Sequence, residues 1–379
     1  MANLFDVADE SLTDLLRLTL IPGIGPRTLT SLLEAFGTAG EALSASSHAL
    51  QQVPGVGPKL VQAINASRKQ IDVGAVVNQC ETLGIDIVPQ SASKYPKRLL
   101  ELCDAPPILY MRGSIQAEDE FAVAIVGTRH PSPYGRRQTE LIAGGLARAG
   151  VTVVSGLARG IDGMAHEGAL AAGGRTIAVL GGGMASIYPP EHIGMAEAVV
   201  ADGCLISEHP PWAKPRGGMF PQRNRLISGL SLGVCVIEAA DRSGSLITAR
   251  LAGEQGRDCF ALPGPVNSRV SRGTNQLIRD GATLIQSVDD ILESLGPLSR
   301  PVQVRDESDQ PRQMHHPAEL KLNEIECAVL DCVQTDATAI DTIVANSGLP
   351  VHRVLATISV LEMRRLVRRL SGQHVIRSG

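Results

Sequence analysis

Ala122-Val123-Ala124-Ile125-Val126, followed at once by Gly127-Thr128-Arg129, decides the fold class. Five apolar residues in a row, with no polar alternation, suit a strand covered on both faces, as in a parallel sheet. Beyond the glycine loop, Ser132 can cap a helix that has Pro133 at its first position, and Gly150 can end it. A second apolar run at 151–154 then closes a βαβ unit. The same alternation continues with apolar runs at 176–180, 204–206, 234–237, 258–261 and 283–285. The pattern predicts an α/β domain, a Rossmann-like open parallel sheet whose ligands are expected at the carboxyl ends of the strands.

Those ends are rich in Gly, Ser and Arg. Gly127-Thr128-Arg129 follows the first run, Ser155-Gly156-Leu157-Ala158-Arg159-Gly160 the second, Gly181-Gly182-Gly183 the third and Ser207-Glu208 the fourth. The fifth run leads to Glu238 and then to Ser243-Gly244-Ser245, which opens a helix through Thr248. Small residues keep side chains clear, while backbone N–H groups, hydroxyls and helix dipoles favour an anion. One such loop is a weak signal; several along one sheet edge point to a phosphate-bearing ligand. The common nucleotide signatures fail, since no GxGxxG follows the first strand and no GxxxxGK[ST] occurs. Dinucleotide chemistry and ATP hydrolysis are disfavoured, and no cofactor is expected.

The stretch from Trp212 to Arg225 is the most concentrated, with Lys214, Arg216, Phe220, Arg223 and Arg225. Tyr134, Tyr188, Trp212 and Phe220 all lie in or beside the loops. Arginines interleaved with aromatics suit single-stranded nucleic acid, whose bases are free to stack while its phosphates are clamped. The blander alternative is that Trp212 and Phe220 cover the sheet and the arginines form surface pairs. Catalytic groups are thinner. Asp162 and His166, four apart and close to Ser155, suggest a triad. The preferred reading makes Asp162 a helix cap and His166 a loop support, and no G-x-S-x-G elbow is present. Glu238 is a lone strand-end carboxylate, so no catalytic residue is assigned.

Composition narrows the classes. The 379 residues are too many for one ordinary core. A net charge of −4 excludes a uniformly basic nucleic-acid coat, so anion binding has to be local. Seven cysteines without a CxxC argue against a disulfide framework or a zinc site, and Cys327 and Cys332 read as core. No metal is expected. The start, Met1-Ala2-Asn3-Leu4-Phe5-Asp6, lacks a basic-then-apolar signal, and the uncharged run from Thr176 to Pro190 is broken by three glycines and two prolines. A cytoplasmic protein without membrane contact is expected.

A repeat opens the chain. Ile21-Pro22-Gly23-Ile24-Gly25-Pro26 recurs 32 residues on as Val53-Pro54-Gly55-Val56-Gly57-Pro58, followed by Lys59. Helix, glycine turn, helix, twice over, resembles a tandem helix-hairpin-helix (SAM-like) domain, in which Gly23, Gly25, Gly55, Gly57 and Lys59 would meet a DNA backbone. The alternative is a plain helical hairpin, and 5 basic against 6 acidic side chains in residues 1–70 argue against strong electrostatic binding. Residues 297–320 carry four prolines and mixed charge and read as a linker. Three helical stretches at 323–333, 339–346 and 351–365, with an alternating tail turning at Ser371-Gly372, resemble a winged helix. Its third helix is apolar at Val351, Val354, Leu355, Ile358 and Leu361, which leaves few side chains to read bases and suggests protein contact. The expected domains are thus 1–70 (helix-hairpin-helix), 71–296 (extended Rossmann-like, DNA-binding), 297–320 (linker) and 321–379 (winged-helix-like).

At its loops the α/β segment resembles the DprA/Smf family of DNA-processing proteins. The matching stretches begin with Gly127-Thr128-Arg129, Ser132 and Tyr134-Gly135, then Ser155-Gly156-Leu157-Ala158 with Gly160-Ile161-Asp162 and His166. They continue through Tyr188-Pro189, Ser207-Glu208 and Phe220-Pro221-Gln222-Arg223-Asn224-Arg225, to Glu238-Ala239, Ser243-Gly244-Ser245 with Thr248, and Pro263-Gly264. The resemblance implies a non-enzymatic homodimer that binds incoming single-stranded DNA in natural transformation and helps load a RecA-type recombinase. It implies a DNA pocket of Gly127, Arg129, Ser155, Gly156, Lys214, Phe220, Arg223, Asn224 and Arg225, to which Ser243, Ser245 and Thr248 add hydroxyls. The alternative on the same anion-binding loops is a nucleotide N-glycosidase like the phosphoribohydrolases of the lysine-decarboxylase-like fold. That family's PGGxGTxxE signature is missing, because Pro263-Gly264-Pro265-Val266-Asn267 lacks the second Gly and the Glu.

Overall fold

The computed structural model describes residues 8–295, 302–305, 311–314, 319, 322–334, 336–364, 366–370 and 373–377. The chain divides into two compact units, Met1–Ile115 with Ile177–Leu230, and Gln116–Thr176 with Ser231–Gly379. Nine strands carry the α/β fold: β1 Asp86–Pro89, β2 Ile108–Gly113, β3 Ala122–Val126, β4 Thr152–Ser155, β5 Thr176–Val179, β6 Cys204–Ser207, β7 Gly233–Val236, β8 Asp258–Ala261 and β9 Thr283–Leu284.

In the first unit the 32-residue repeat becomes two turns of like backbone conformation. Gly23 and Gly55 adopt φ of +97° and +84°. Gly25 and Gly57 are extended N-caps, with Pro26 and Pro58 opening helices Pro26–Phe36 and Pro58–Gln70. Ile21, Leu29 and Leu32 of the first copy and Val53, Val61 and Ile64 of the second pack into one core, each at most 5% exposed. Arg17, near the end of helix Ala8–Thr19, donates to the carbonyls of Ser67 and Ile71 and so closes the bundle on its last turn. The strands of this unit run in the order β1-β2-β6-β5. β1 and β2 are antiparallel, as are β2 and β6, while β6 and β5 are parallel.

The second unit holds β4-β3-β7-β8-β9, all parallel. Each of the seven expected runs carries a strand. β1 and β2 were not expected, and they make the fold mostly rather than wholly parallel. Ser132 caps helix Pro133–Arg148 by accepting from Gly135 N–H, with Pro133 first in the helix, as the sequence implies. Ile142, Leu146, Ile161, Ala165 and Phe260 fill the core between helices and strands. A buried Asp119 accepts from Thr152 Oγ1 (2.7 Å) and from Arg175 Nε and Nη2 (2.9 and 2.8 Å), so the charge enters the interior with its partners.

The winged helix comprises helices Glu324–Asp331, Ile340–Ser347 and Val351–Met363 and a sheet of Thr338–Ala339, His374–Arg377 and Val367–Leu370, in that order. Its short first strand had no sequence signal. In helix Val351–Met363, Val354, Ile358 and Leu361 are fully buried, whereas Val351 and Leu355 are 52% and 37% exposed. The apolar stripe is therefore mainly the domain's own core, a correction to the reading of the whole stripe as a contact face. Cys327 and Cys332 are only partly buried; Cys332 packs against the winged-helix core, while Cys327 is not part of it, which corrects its expected core placement. Within the segment expected to link the domains, Val302–Arg305 pairs antiparallel with Pro311–Met314; its other residues except Glu319, and the Ser371-Gly372 turn, lie outside the described residues. Among the described residues no helix is long and apolar enough to cross a membrane, and no His, Cys, Asp or Glu cluster could hold a metal ion.

Candidate nucleic-acid interface

In the second unit the loop after β3 is fixed from beneath by Glu238, which follows β7 and is 2% exposed. Its carboxylate accepts from the Ser132 N–H (2.8 Å) and from the Ser132 hydroxyl, and its carbonyl accepts from the Thr128 N–H (2.7 Å). Both oxygens of the acid thus meet the helix cap, in the position that the positive end of helix Pro133–Arg148 favours. Glu238 spends a bond from each oxygen on the protein's own helix cap. The loop it holds presents Arg129 and His130 to solvent, and Arg136 and Arg137 are exposed on the following helix.

The loop after β4 is stacked on the first. Ile161 N–H donates to the Thr128 carbonyl (3.1 Å), and Gly160, at φ +79°, lies so close that a Cβ would meet Arg129 Cα at 2.7 Å. Only glycine fits there, both for its backbone conformation and for the approach. The structure thereby brings Gly127, Arg129, Ser155 and Gly156 together. Ser155 is fully buried and donates to the Ile125 carbonyl (2.6 Å), so its hydroxyl faces the sheet. His166 Nδ1 meets Thr176 Oγ1 at 2.7 Å, and Thr176 donates on to the Val153 carbonyl. The N-cap of helix Ile161–Ala171 is Gly160, without a side-chain cap, rather than Asp162. Asp162 as cap is corrected, and His166 is tied by its bond to Thr176 to the start of β5. Ser243 caps helix Gly244–Glu254 and shares a hydrogen bond with Ser245 (2.7 Å), while Ser245 and Thr248 are 7% and 1% exposed.

In the first unit, Gly181-Gly182-Gly183 after β5 is used differently from the sequence expectation. Gly183 N–H donates to the Ala213 carbonyl (2.7 Å), the Ser207 hydroxyl donates to the Gly182 carbonyl (2.9 Å), and a Cβ on Gly182 would stand 3.0 Å from Ala213 O and from Pro215. The glycines let two loops pack backbone to backbone, and the donors needed for an anion are partly consumed. Phe220 lies on Gly181, where a Cβ would come within 2.7 Å of its ring. Its ring centroid is 5.7 Å from that of Tyr188, which is 40% exposed. Lys214 and Arg216 are exposed on the loop before helix Met219–Gly229.

The two arginines of that helix turn inward. Arg223, 3% exposed, donates through Nη1 to the Val179 carbonyl at the end of β5. Arg225 bonds Asp104 (3.2 Å) and Glu208. Asn224 between them is half-buried. Sequence reasoning missed Asp104, whose distance of 121 positions from Arg225 leaves no local signal, and it named Glu208 without a role. In the helical repeat, Gly23, Gly25, Gly55, Gly57 and Lys59 are all exposed, and neither helix they open has a side-chain cap.

The chain is similar to known proteins in sequence and fold. Residues 86–296, more than half the chain, match the model of DNA recombination-mediator protein A, residues 313–373 the DprA winged helix domain, and residues 15–67 the SAM-like helix-hairpin-helix tandem. The chain belongs to the DNA recombination-mediator protein A family. Protein Smf of Synechocystis is 35% identical over 93% of this chain and 95% of its own. DNA processing protein DprA of Bacillus subtilis is 39% identical over 70% of this chain and 90% of its own. Among solved structures, DprA from Streptococcus pneumoniae aligns with a TM-score of 0.66 at 33% identity, over 75% of this chain and 98% of that one. DNA processing protein A from Helicobacter pylori, described for its unique single-stranded DNA binding mode, aligns with a TM-score of 0.50 at 34% identity, over 55% of this chain and 93% of that one. The clamp of Glu238 on Ser132 joins two of the stretches that carry the family resemblance.

Proposed function

We propose that the chain binds single-stranded DNA in natural transformation, protects it and passes it to a RecA-type recombinase, acting in the cytoplasm as a homodimer and without catalysing a reaction. The observation that carries the reading is the exposed Arg129 on a loop held by Glu238 and by the Ile161 N–H, a cation carried on a fixed support. Membership in a family of DNA-processing proteins and the single-stranded DNA mode described for the Helicobacter pylori relative support it. Arg129, Lys214, Phe220, Asn224 and Ser243, with the backbone of Gly127 and Gly156, are the proposed contacts. Arg223, Arg225, Ser155, Ser245 and Thr248 are proposed to hold those contacts in place, since their polar atoms face the protein. The glycine turns and Lys59 of the helical repeat offer a secondary backbone contact.

Fluorescence anisotropy with a labelled poly-dT strand and a matched duplex, across salt, tests the reading. The expected result is a single-strand preference that Arg129→Ala removes while the thermal melt stays unchanged. Equal affinity for duplex, untouched by Arg129→Ala, would overturn it.

A further inference from the structure

Among the described residues of the second unit only Phe121, Tyr134 and Phe260 are aromatic. Phe121 and Phe260 are fully buried, whereas Tyr134 is 39% exposed. Tyr134 is the second residue of helix Pro133–Arg148 and lies five positions beyond Arg129, on the segment that Glu238 holds. The exposed aromatic of this unit therefore stands at the strand ends, where the glycine-rich loops gather.

The ring is held at both ends. Its backbone belongs to the helix cap, where the Gly135 N–H donates to Ser132 Oγ (3.1 Å) and the Arg136 N–H to the Ser132 carbonyl (3.0 Å). Its hydroxyl donates to the Pro263 carbonyl (2.9 Å), just past β8 and 129 positions away. The next residue, Gly264, exchanges two bonds with the Asn275 amide (3.1 and 3.0 Å), so the acceptor sits on a fixed loop. Burial, and after it the Glu238 charge, raises the Tyr134 hydroxyl above the ordinary tyrosine range, so it stays a donor at neutral pH. With the hydroxyl engaged, the ring is what this side chain has left to offer a partner. A flat apolar face already held in place loses little freedom when another group stacks on it. Base faces are the flat groups that a single strand leaves open and a duplex closes.

We propose that Tyr134 is a base-stacking platform of the second unit, on which one unpaired nucleobase lies while the neighbouring phosphate meets Arg129. This rests on the single-stranded DNA reading above and deepens it, since Phe220 and Tyr188 both belong to the first unit. A duplex has no open base face for the ring, so Tyr134 adds to the preference for single strands as well as to affinity.

Fluorescence anisotropy of the full chain tests it, with a labelled dT strand, an abasic strand of the same length and a matched duplex. Tyr134→Leu keeps apolar bulk and removes the flat face. It is expected to weaken dT binding about tenfold, the share of one stacked base, and to leave the abasic strand and the duplex within about twofold of the parent. Tyr134→Phe loses the same bond to Pro263 but keeps the ring. It is expected to restore most of the dT affinity while melting at the same temperature as Tyr134→Leu. Leu141→Ala, at a 51% exposed position further along the same helix, is the surface control and is expected to leave all three affinities as they are. An equal penalty on the dT and abasic strands, or an equal penalty for Phe and Leu, would overturn the proposal, because the tyrosine would then hold a loop and not a base. So would dT binding that Tyr134→Leu leaves intact while Arg129→Ala weakens it, a result that keeps the single-stranded DNA reading standing. No dT binding by the parent chain would overturn both.

Discussion

The loop after β3 and the loop after β5 both begin with glycine at the end of a buried parallel strand, yet they do opposite things. In the first, Gly160 of the neighbouring loop lets two backbones approach, and the product is an exposed Arg129 on a rigid support. In the second, Gly182 and Gly183 are consumed in joining the Pro210–Pro215 backbone while Gly181 lies under Phe220, and what reaches the surface is a pair of aromatic rings, Tyr188 and Phe220. Glycine at a strand end therefore reports close approach. Whether the approaching group is a ligand or the protein's own chain depends on which donors remain, and that is a tertiary property.

The comparison can be broken in four places. The largest effect is expected from Glu238→Ala, which leaves the Ser132 N–H and hydroxyl without their charged acceptor; urea denaturation should show a loss of about 3 kcal/mol. Single-strand affinity should fall with it, because the loop bearing Arg129 loses its anchor. Gly181→Ala comes next. Its Cβ would meet the Phe220 ring at 2.7 Å, and such overpacking costs about 1–3 kcal/mol, read as a lowered melting temperature. A loss of stability without any change in the DNA salt dependence would sharpen the contrast between a packing loop and a binding loop.

Phe220→Ala should weaken poly-dT binding by about 1 kcal/mol or somewhat more if one base stacks on the ring. If the ring only covers Gly181, stability falls instead and the affinity holds. The smallest effect is expected for Arg129→Ala in thermal melts, since the side chain is exposed. Its signature is a slope of log affinity against log salt flatter by about 0.7, the share of one phosphate on a single strand. An unchanged slope would remove Arg129 from the contact.

What could be read in advance follows from how local each signal is. β3 to β7 are short runs of buried residues, so composition alone marks them, whereas β8 is only half buried and β9 is exposed. β1 has four residues with only Val88 buried, and β2 hides behind Pro106-Pro107, outside the alternating stretch, although its Ile108-Leu109-Tyr110-Met111 is as apolar as the others. Ser132 with Pro133 was legible because capping is decided within four residues. Arg225 was not, because the acid that fixes it from β2's side, Asp104, is remote in sequence. The same holds for Ser155 and Thr248, whose hydroxyl-bearing side chains looked available to a ligand until their burial was known.

The lock between Glu238 and Ser132 also bears on what this fold could become. Freeing the acid would require a substitute for the helix cap, a relief of the space under Gly135 that the acid fills, and a new loop to carry the anchor, all at once. Any substitution that frees the acid also takes the acceptor from the Ser132 cap, so the variation open to this loop is tied to the stability of the helix behind it.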